Sequence, residues 1–295
     1  MPDPWNDQFR KDDDLNPDLI GEFESDRRRR AKLWIAAAVL VFGVGLAFFF
    51  VFGGGDSDVT EEPVVSEAPP TPELPPAPAE PFGAEIVPLD LPPLDETDPV
   101  VRGLVGELSS HPQVVAWLAT DGLIRNFTVV SSNIAEGKSP AINLRRFRPS
   151  DEFLVSERGE DLFMDPKGYL RYNPLVGALT SIDPDGAARL YRSLKPRIDD
   201  AYAELGFPDT TFDTTLERAI VLLLRTPIPG DPIALEPEGG TGYRYADSTL
   251  ESLTPAQRHL LRMGPQNART VQTALRDLAL ALGIPPSRLP APGGR

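Results

Sequence analysis

The stretch from 183 to 206, DPDGAARLYRSLKPRIDDAYAELG, decides the fold class. It opens on Asp183-Pro184, a helix-capping residue followed by a proline suited to the first helical position, and it closes on Gly206, a common terminator. Between them, apolar side chains recur at the spacing of one helical face. They are Ala187, Leu190, Tyr191, Leu194, Ile198, Ala201 and Leu205. We predict a long helix that buries one side.

Similar start signals occur on both sides of this helix. Cap-plus-proline pairs stand at Asp98-Pro99, His111-Pro112 and Asn173-Pro174. Further starts are predicted at Thr120 or Asp121, at Asp213 or Thr214, at a capping box of Thr254 and Gln257, and at Pro265. Together they indicate roughly seven or eight helices.

One β-hairpin interrupts the helical pattern. Short apolar runs at 152–156 and 161–164 flank the turn sequence ERGE (157–160), and 233–235 and 243–245 are candidates for short extended pieces. The predicted fold is therefore mainly α: a multi-helix globular domain over 98–285 with one small β-hairpin, followed by a flexible C-terminal tail (286–295). The chain has no cysteine, which excludes a disulfide framework and a thiolate metal site.

Residues 33–52 form a run of twenty without charge, which is long enough for a helix to cross a bilayer. Five basic residues precede this run closely, and none follows it before Arg102. The positive-inside rule then places 1–32, a predicted disordered tail, in the cytoplasm and everything after Gly53 outside. The alternative is a cleaved signal peptide, but such peptides have shorter apolar regions and shorter N-terminal regions. We predict a single-pass membrane protein whose domain lies outside the cytoplasm.

The segment 53–97 carries eleven prolines, eleven acids and no base. Proline favours an extended chain and like charges repel, so we predict a disordered linker with an upper reach of about 140 Å. Residues 98–295, with 24 acids and 22 bases, are nearly neutral. The low pI of the chain therefore comes from the linker and does not indicate what the domain binds. We predict no nucleic-acid partner.

Several ordered motifs resemble one bacterial family, the domain of unknown function 3014. They are LDETDP (94–99), LSSHP (108–112), WLATD (117–121), NIAEG (133–137), YNPL (172–175), ARLY (188–191) and LLRMGP (260–265). The resemblance spans about Leu91 to Leu282. It implies a membrane-anchored protein with the family domain in the periplasm, and it implies no activity and no catalytic residue.

No motif specifies a reaction, a metal or a cofactor. His111 and His259, the only histidines, are far apart in sequence and fit capping and packing roles. A glycan hydrolase needs two suitably placed carboxylates, for which Glu136 and Glu217 are conceivable. Both also suit ordinary positions in helices, so we assign no catalytic residue, no metal site and no cofactor.

Binding has better candidates. Three groups combine arginine with aromatic or helix-start residues, which suit carboxylates, glycans or protein partners. They are Arg145, Arg146 and Arg148; Tyr169, Arg171 and Tyr172; and Arg262, Gln266 and Asn267. The other interpretation is that the rings fill the core and the arginines are solvated.

We therefore expect a non-enzymatic protein that is anchored in the inner-membrane bilayer and binds an envelope partner, either a protein or peptidoglycan. The competing hypothesis is an envelope hydrolase or lyase that acts on glycan or peptide bonds. Gly43 and Ala47 have a small-xxx-small spacing, so a homodimer through the transmembrane helix is also an expectation.

Overall fold

The computed structural model describes residues 82, 89–139, 152–207, 209–230, 232–239 and 242–291 of the 295-residue chain. The predicted cytoplasmic tail (1–32), the predicted transmembrane helix (33–52) and most of the predicted linker (53–97) lie outside these residues. Among the helices that are described, none is both long enough and apolar enough to cross a membrane. The described chain is mainly helical, with a small antiparallel sheet.

The described residues form ten α-helices, which we number in chain order. They are α1 (Asp98–Gly106), α2 (Pro112–Leu118), α3 (Leu123–Ala135), α4 (Pro166–Tyr169), α5 (Asn173–Thr180), α6 (Pro184–Ala203), α7 (Phe212–Leu224), α8 (Ser248–Glu251), α9 (Pro255–Arg262) and α10 (Pro265–Ala281). Turns of 3-10 helix occur at Leu94–Glu96, Leu170–Tyr172 and Pro286–Arg288. The mainly helical class is confirmed.

Three helix starts were predicted correctly, and in each the capping group lies within three residues of the group that it caps. The predicted cap Asn173 is instead the first residue of α5, which has no side-chain cap. Asp183 accepts a hydrogen bond of 2.7 Å from a backbone N–H in the first turn of α6. His111 Nδ1 accepts one of 3.3 Å at the start of α2. Thr254 and Gln257 form the predicted capping box of α9. Each cap pairs a donor that the helix itself leaves unpaired.

The start of α3 was predicted wrongly, because its cap comes from another helix. Neither Thr120 nor Asp121 caps it; the helix follows Gly122, whose φ of 68° is in the left-handed region. Asp98, predicted to cap its own helix, instead accepts hydrogen bonds from the backbone N–H groups of Gly122 and Leu123, at 2.7 and 2.9 Å. The carboxylate thus joins α1 to the start of α3.

The predicted cap of α7 is also corrected. Thr211 caps this helix through the backbone N–H of Thr214, at 3.3 Å, and neither Asp213 nor Thr214 does so. The Asp213 carboxylate instead accepts a hydrogen bond from the hydroxyl of Tyr191 on α6. Burial of Tyr191, followed by the negative charge of Asp213, raises the pKa of this tyrosine well above its usual value. The bond ties α6 to α7.

The sheet is larger than the single predicted hairpin. Its strands are β1 (Val155–Arg158), β2 (Asp161–Met164), β3 (Ala234–Glu238) and β4 (Gly242–Tyr245), in the order β1-β2-β3-β4 and antiparallel throughout. The predicted hairpin forms β1 and β2. A second hairpin, separated from it by about seventy residues, extends the sheet through the pairs Leu162 with Leu235 and Phe163 with Ala234.

Two apolar clusters hold these elements together. The larger lies in the helical body, where α3 packs against α6 and α7 and where α10 contacts the same two helices. Its largest fully buried side chains include Trp117, Phe127, Tyr191 and Phe212. The smaller cluster lies under the sheet; its buried members are Met164, Ile233, Leu235, Tyr245, Leu250 and Leu261. Leu261 comes from α9, so this helix joins the sheet to the body.

The packed region extends beyond both predicted ends of the domain. At the N-terminal side, Leu91 is buried and the guanidinium of Arg197 donates hydrogen bonds to the carbonyls of Leu91 and Pro92. At the C-terminal side, Arg288 pairs with Glu217 at 2.7 Å and Leu289 is buried. The chain therefore packs on the helical body from about residue 91 to residue 289.

Candidate binding surface

The nine residues predicted to bind a partner belong to three segments, of which the structure describes two. Arg145, Arg146 and Arg148 lie outside the described residues. Tyr169 ends α4, and Arg171 and Tyr172 lie in the 3-10 turn that follows; Arg262 ends α9, and Gln266 and Asn267 open α10. The two described segments are almost one hundred residues apart in sequence, and the structure brings them together.

The two segments meet where the ring of Tyr169 packs against Gly264. Gly264 lies between α9 and α10 with φ of 83°, and a Cβ added there would be 2.4 Å from two ring carbons of Tyr169. The amide of Asn267 donates a hydrogen bond of 3.1 Å to the carbonyl of Tyr169 and another of 3.2 Å to Asn173. Only a residue without a side chain allows the ring so close to the backbone.

Arg171 lies among aromatic rings beside this contact. Its guanidinium carbon is 4.9 Å from the ring centroid of Tyr172 and 5.6 Å from that of Phe153, and one of its amino groups donates to the Tyr172 hydroxyl at 3.1 Å. Tyr172 itself is buried. Tyr172 is thus a core residue that helps to position Arg171, which agrees with the core interpretation for this one ring.

Tyr245, on β4, is buried near the positive charge of Arg262. Tyr245 is buried under the sheet and its hydroxyl donates to the carbonyl of Arg258 at 3.1 Å. Burial raises its pKa, and the positive charges of Arg262 and Arg258 oppose that rise. Arg262 is therefore close enough to stabilise negative charge at this position, whereas Gln266 is exposed to solvent.

Exposed apolar residues occur in the segments that meet at Arg171, and the sequence did not single them out. We call Phe153, Leu154, Leu170, Arg171 and Tyr243 the Leu170 surface. Leu170 is 61 % exposed, Leu154 41 % and Tyr243 36 %, and the ring centroids of Tyr243 and Phe153 are 6.0 Å apart. Leu170 stands between the predicted binding residues Tyr169 and Arg171, but the sequence pattern does not reveal that it is exposed to solvent.

The model of one protein family matches residues 123–279, which is more than half of the chain. Its description is "Protein of unknown function (DUF3014)". The chain belongs to this family. The matched region runs from α3 nearly to the end of α10 and contains both described segments of the candidate site. No curated protein and no solved structure matches the chain significantly.

The two histidines of this DUF3014 protein have separate environments. His111 caps α2, as predicted. His259 lies on α9, where its Nδ1 and the hydroxyl of Ser139 are 2.9 Å apart. Burial, followed by the positive charges of Arg262 and Arg258, lowers the pKa of His259 to about 3. The ring is therefore neutral at physiological pH.

Both carboxylates that we considered as catalytic acids are in ion pairs. Glu136 pairs with Lys138 at 2.6 Å, and buried Glu217 pairs with Arg288 at 2.7 Å. Burial raises the pKa of Glu217, and Arg288 opposes the rise. Among the described residues of this DUF3014 protein, no group of three or more histidine, aspartate or glutamate side chains is placed to hold a metal ion.

Proposed function

We propose that this DUF3014 protein is a non-enzymatic binding protein of the cell envelope. In this proposal, residues 33–52 anchor it in the inner membrane and the helical domain lies in the periplasm. There it binds an envelope partner, either a protein or peptidoglycan. The charge-free run and its basic N-terminal flank support the location.

The clustering of exposed apolar side chains carries the binding proposal. Large hydrophobic side chains that are exposed among the described residues number six, and three of them, Leu154, Leu170 and Tyr243, belong to segments that meet at Arg171 and Phe153. Leu154 also lies beside Gly168, two residues before Leu170. Exposed apolar groups beside an arginine and aromatic rings are typical of sites where a partner binds. Arg171 contacts two rings, so its side chain loses little conformational freedom when a partner binds.

A photocrosslinking amino acid at position 170 of the full-length chain, expressed in cells, would test this surface. We expect one set of envelope adducts from position 170. We also expect Leu170→Glu to weaken binding of the recovered partner, or of isolated peptidoglycan sacculi, by about tenfold or more, because a carboxylate would then have to be desolvated at the interface.

Leu280 provides the matched control. It is also a leucine, it is 44 % exposed, and it lies on α10 outside the Leu170 surface. We expect Leu280→Glu to bind normally and a crosslinker at position 280 to give different adducts or none. Equal loss in both variants would contradict the proposal, as would digestion of sacculi by the purified protein, which the competing hydrolase or lyase hypothesis predicts.

A further inference from the structure

Phe82 contacts the helical body although it lies in the segment predicted to be extended and without a core. Its ring centroid is 6.2 Å from that of Tyr191 on α6, with the ring planes at 50°. The side chain is partly buried against the main apolar cluster. Among the described residues it is the only one before Leu89, so the linker touches the domain well ahead of the first helix.

The surface that receives Phe82 is fixed by contacts of its own. The hydroxyl of Tyr191 donates to Asp213, and the ring of Tyr191 stacks on Phe212 with centroids 6.3 Å apart. Lys195, one turn further along α6, pairs with Asp199 and lies 3.6 Å from Asp213. The bond to α7 thus orients the ring of Tyr191 independently of Phe82.

Leu91, nine residues after Phe82 in the sequence, makes a second contact with α6. Arg197 donates to the carbonyl of Leu91 at 3.0 Å and to that of Pro92 at 2.7 Å, and Asp200 orients its guanidinium. These bonds are made to backbone carbonyls, so they do not depend on the side chains of the linker. The Phe82 contact, in contrast, depends on one ring.

Chain connectivity does not force Phe82 onto Tyr191. Tyr191 and Arg197 are six residues apart on α6, or about 9 Å along its axis. The nine residues from Phe82 to Leu91 span up to about 28 Å when extended. The number of residues between the two contacts therefore does not require Phe82 to lie at Tyr191, and the packing of its ring accounts for its position there.

We propose that Phe82 attaches the predicted linker to the helical body at Tyr191. This attachment limits the part of the predicted linker that precedes the first contact with the domain to residues 53–81, whose upper reach is about 90 Å. Without it, the first contact is the one at Arg197, and the upper reach increases by about 28 Å. The residue that packs on Tyr191 belongs to this chain's own predicted linker. The inference does not depend on whether the domain binds a partner.

Distance measurement between two spin labels would test this attachment. The chain has no cysteine, so Ala84→Cys and the exposed Ala203→Cys give one label beside Phe82 and one at the end of α6 without further changes. In the full-length chain in detergent micelles, we expect a narrow distribution of label distances with Phe82 present. We expect Phe82→Ala to broaden the distribution and shift it to longer distances, and Phe82→Trp to keep it narrow.

Val87→Ala is the matched control, because it removes an apolar side chain from the same segment and leaves Phe82 in place. We expect it to retain the narrow distribution, with an unchanged helical circular dichroism spectrum in all variants. An unchanged distribution in Phe82→Ala would overturn the proposal. Equal broadening in Val87→Ala would overturn it as well, because the attachment would then not depend on the ring at 82.

Discussion

At the scale of single residues, His259 lies where its charged form is disfavoured. Its folded pKa of about 3 is far below the unfolded value of about 6.5. Above pH 6.5 the ring is neutral in both states, and its contribution to stability is fully present. As the pH falls from 6.5 towards 3, the unfolded chain binds a proton that the folded chain does not, so stability decreases.

His259→Asn should therefore reduce the acid sensitivity of the protein, since asparagine retains a polar group near Ser139 and does not titrate. Between pH 6.5 and pH 5, we expect the free energy of unfolding of the natural protein to fall more steeply than that of the variant, by at most about 1.4 kcal/mol per pH unit. Urea unfolding at a series of pH values measures both slopes. Identical slopes would show that His259 does not have the assigned pKa.

At the scale of elements, the joint between α4 and α10 depends on Gly264. Gly264→Ala would place a Cβ 2.4 Å from the Tyr169 ring at a φ that alanine disfavours. We expect a loss of about 3 kcal/mol or more of stability, since the ring must move and the backbone is strained. Thermal or urea unfolding of the variant measures this loss.

Gly206→Ala separates the effect of backbone strain from the effect of the clash with the Tyr169 ring. Gly206 has a φ of 76°, but an added Cβ there would meet no atom within 4 Å, so only backbone strain remains. We expect a loss of about 1 to 2 kcal/mol in this variant. If both glycine variants lose the same stability, then the close approach of Tyr169 contributes nothing.

Local signals in the sequence predicted the elements better than they predicted how the elements meet. The caps of α6 and α9 were predictable because donor and acceptor are neighbours in sequence. Asp98 instead caps α3, more than twenty residues away, and β2 pairs with β3 across about seventy residues. No pattern in one sequence encodes such distant partners.

The candidate site shows the same limit. Sequence reasoning singled out the segments around Tyr169 and Arg262 separately, the first as rings beside a cation and the second as an arginine and polar residues at a helix start. It did not predict that Gly264 allows the two segments to pack together, or that Leu154 and Tyr243 are exposed to solvent. Those facts depend on the packing of α4 against α10 and on the second hairpin, both of which are long-range.

At the scale of the whole molecule, the proposed function depends on the proposed anchor at 33–52 and on the side of the membrane on which it would place the domain. Twenty uncharged residues can satisfy their backbone hydrogen bonds within a helix and bury their side chains in lipid. The five basic residues before them resist translocation, whereas the linker after them has no positive charge to oppose export. A phosphatase that is active only outside the cytoplasm, fused after Arg295, should therefore be active.

The matched variant replaces Arg27, Arg28, Arg29, Arg30 and Lys32 with glutamate and leaves residues 33–52 unchanged. In our proposal the basic flank sets the orientation, so we expect phosphatase activity to fall and a fused cytoplasmic fluorescent reporter to become bright. The natural chain should give the opposite pair of signals, with the fusion recovered in the membrane fraction. A bright cytoplasmic reporter and an inactive phosphatase on the natural chain would place the domain inside the cell, where neither an envelope protein nor peptidoglycan could reach the Leu170 surface.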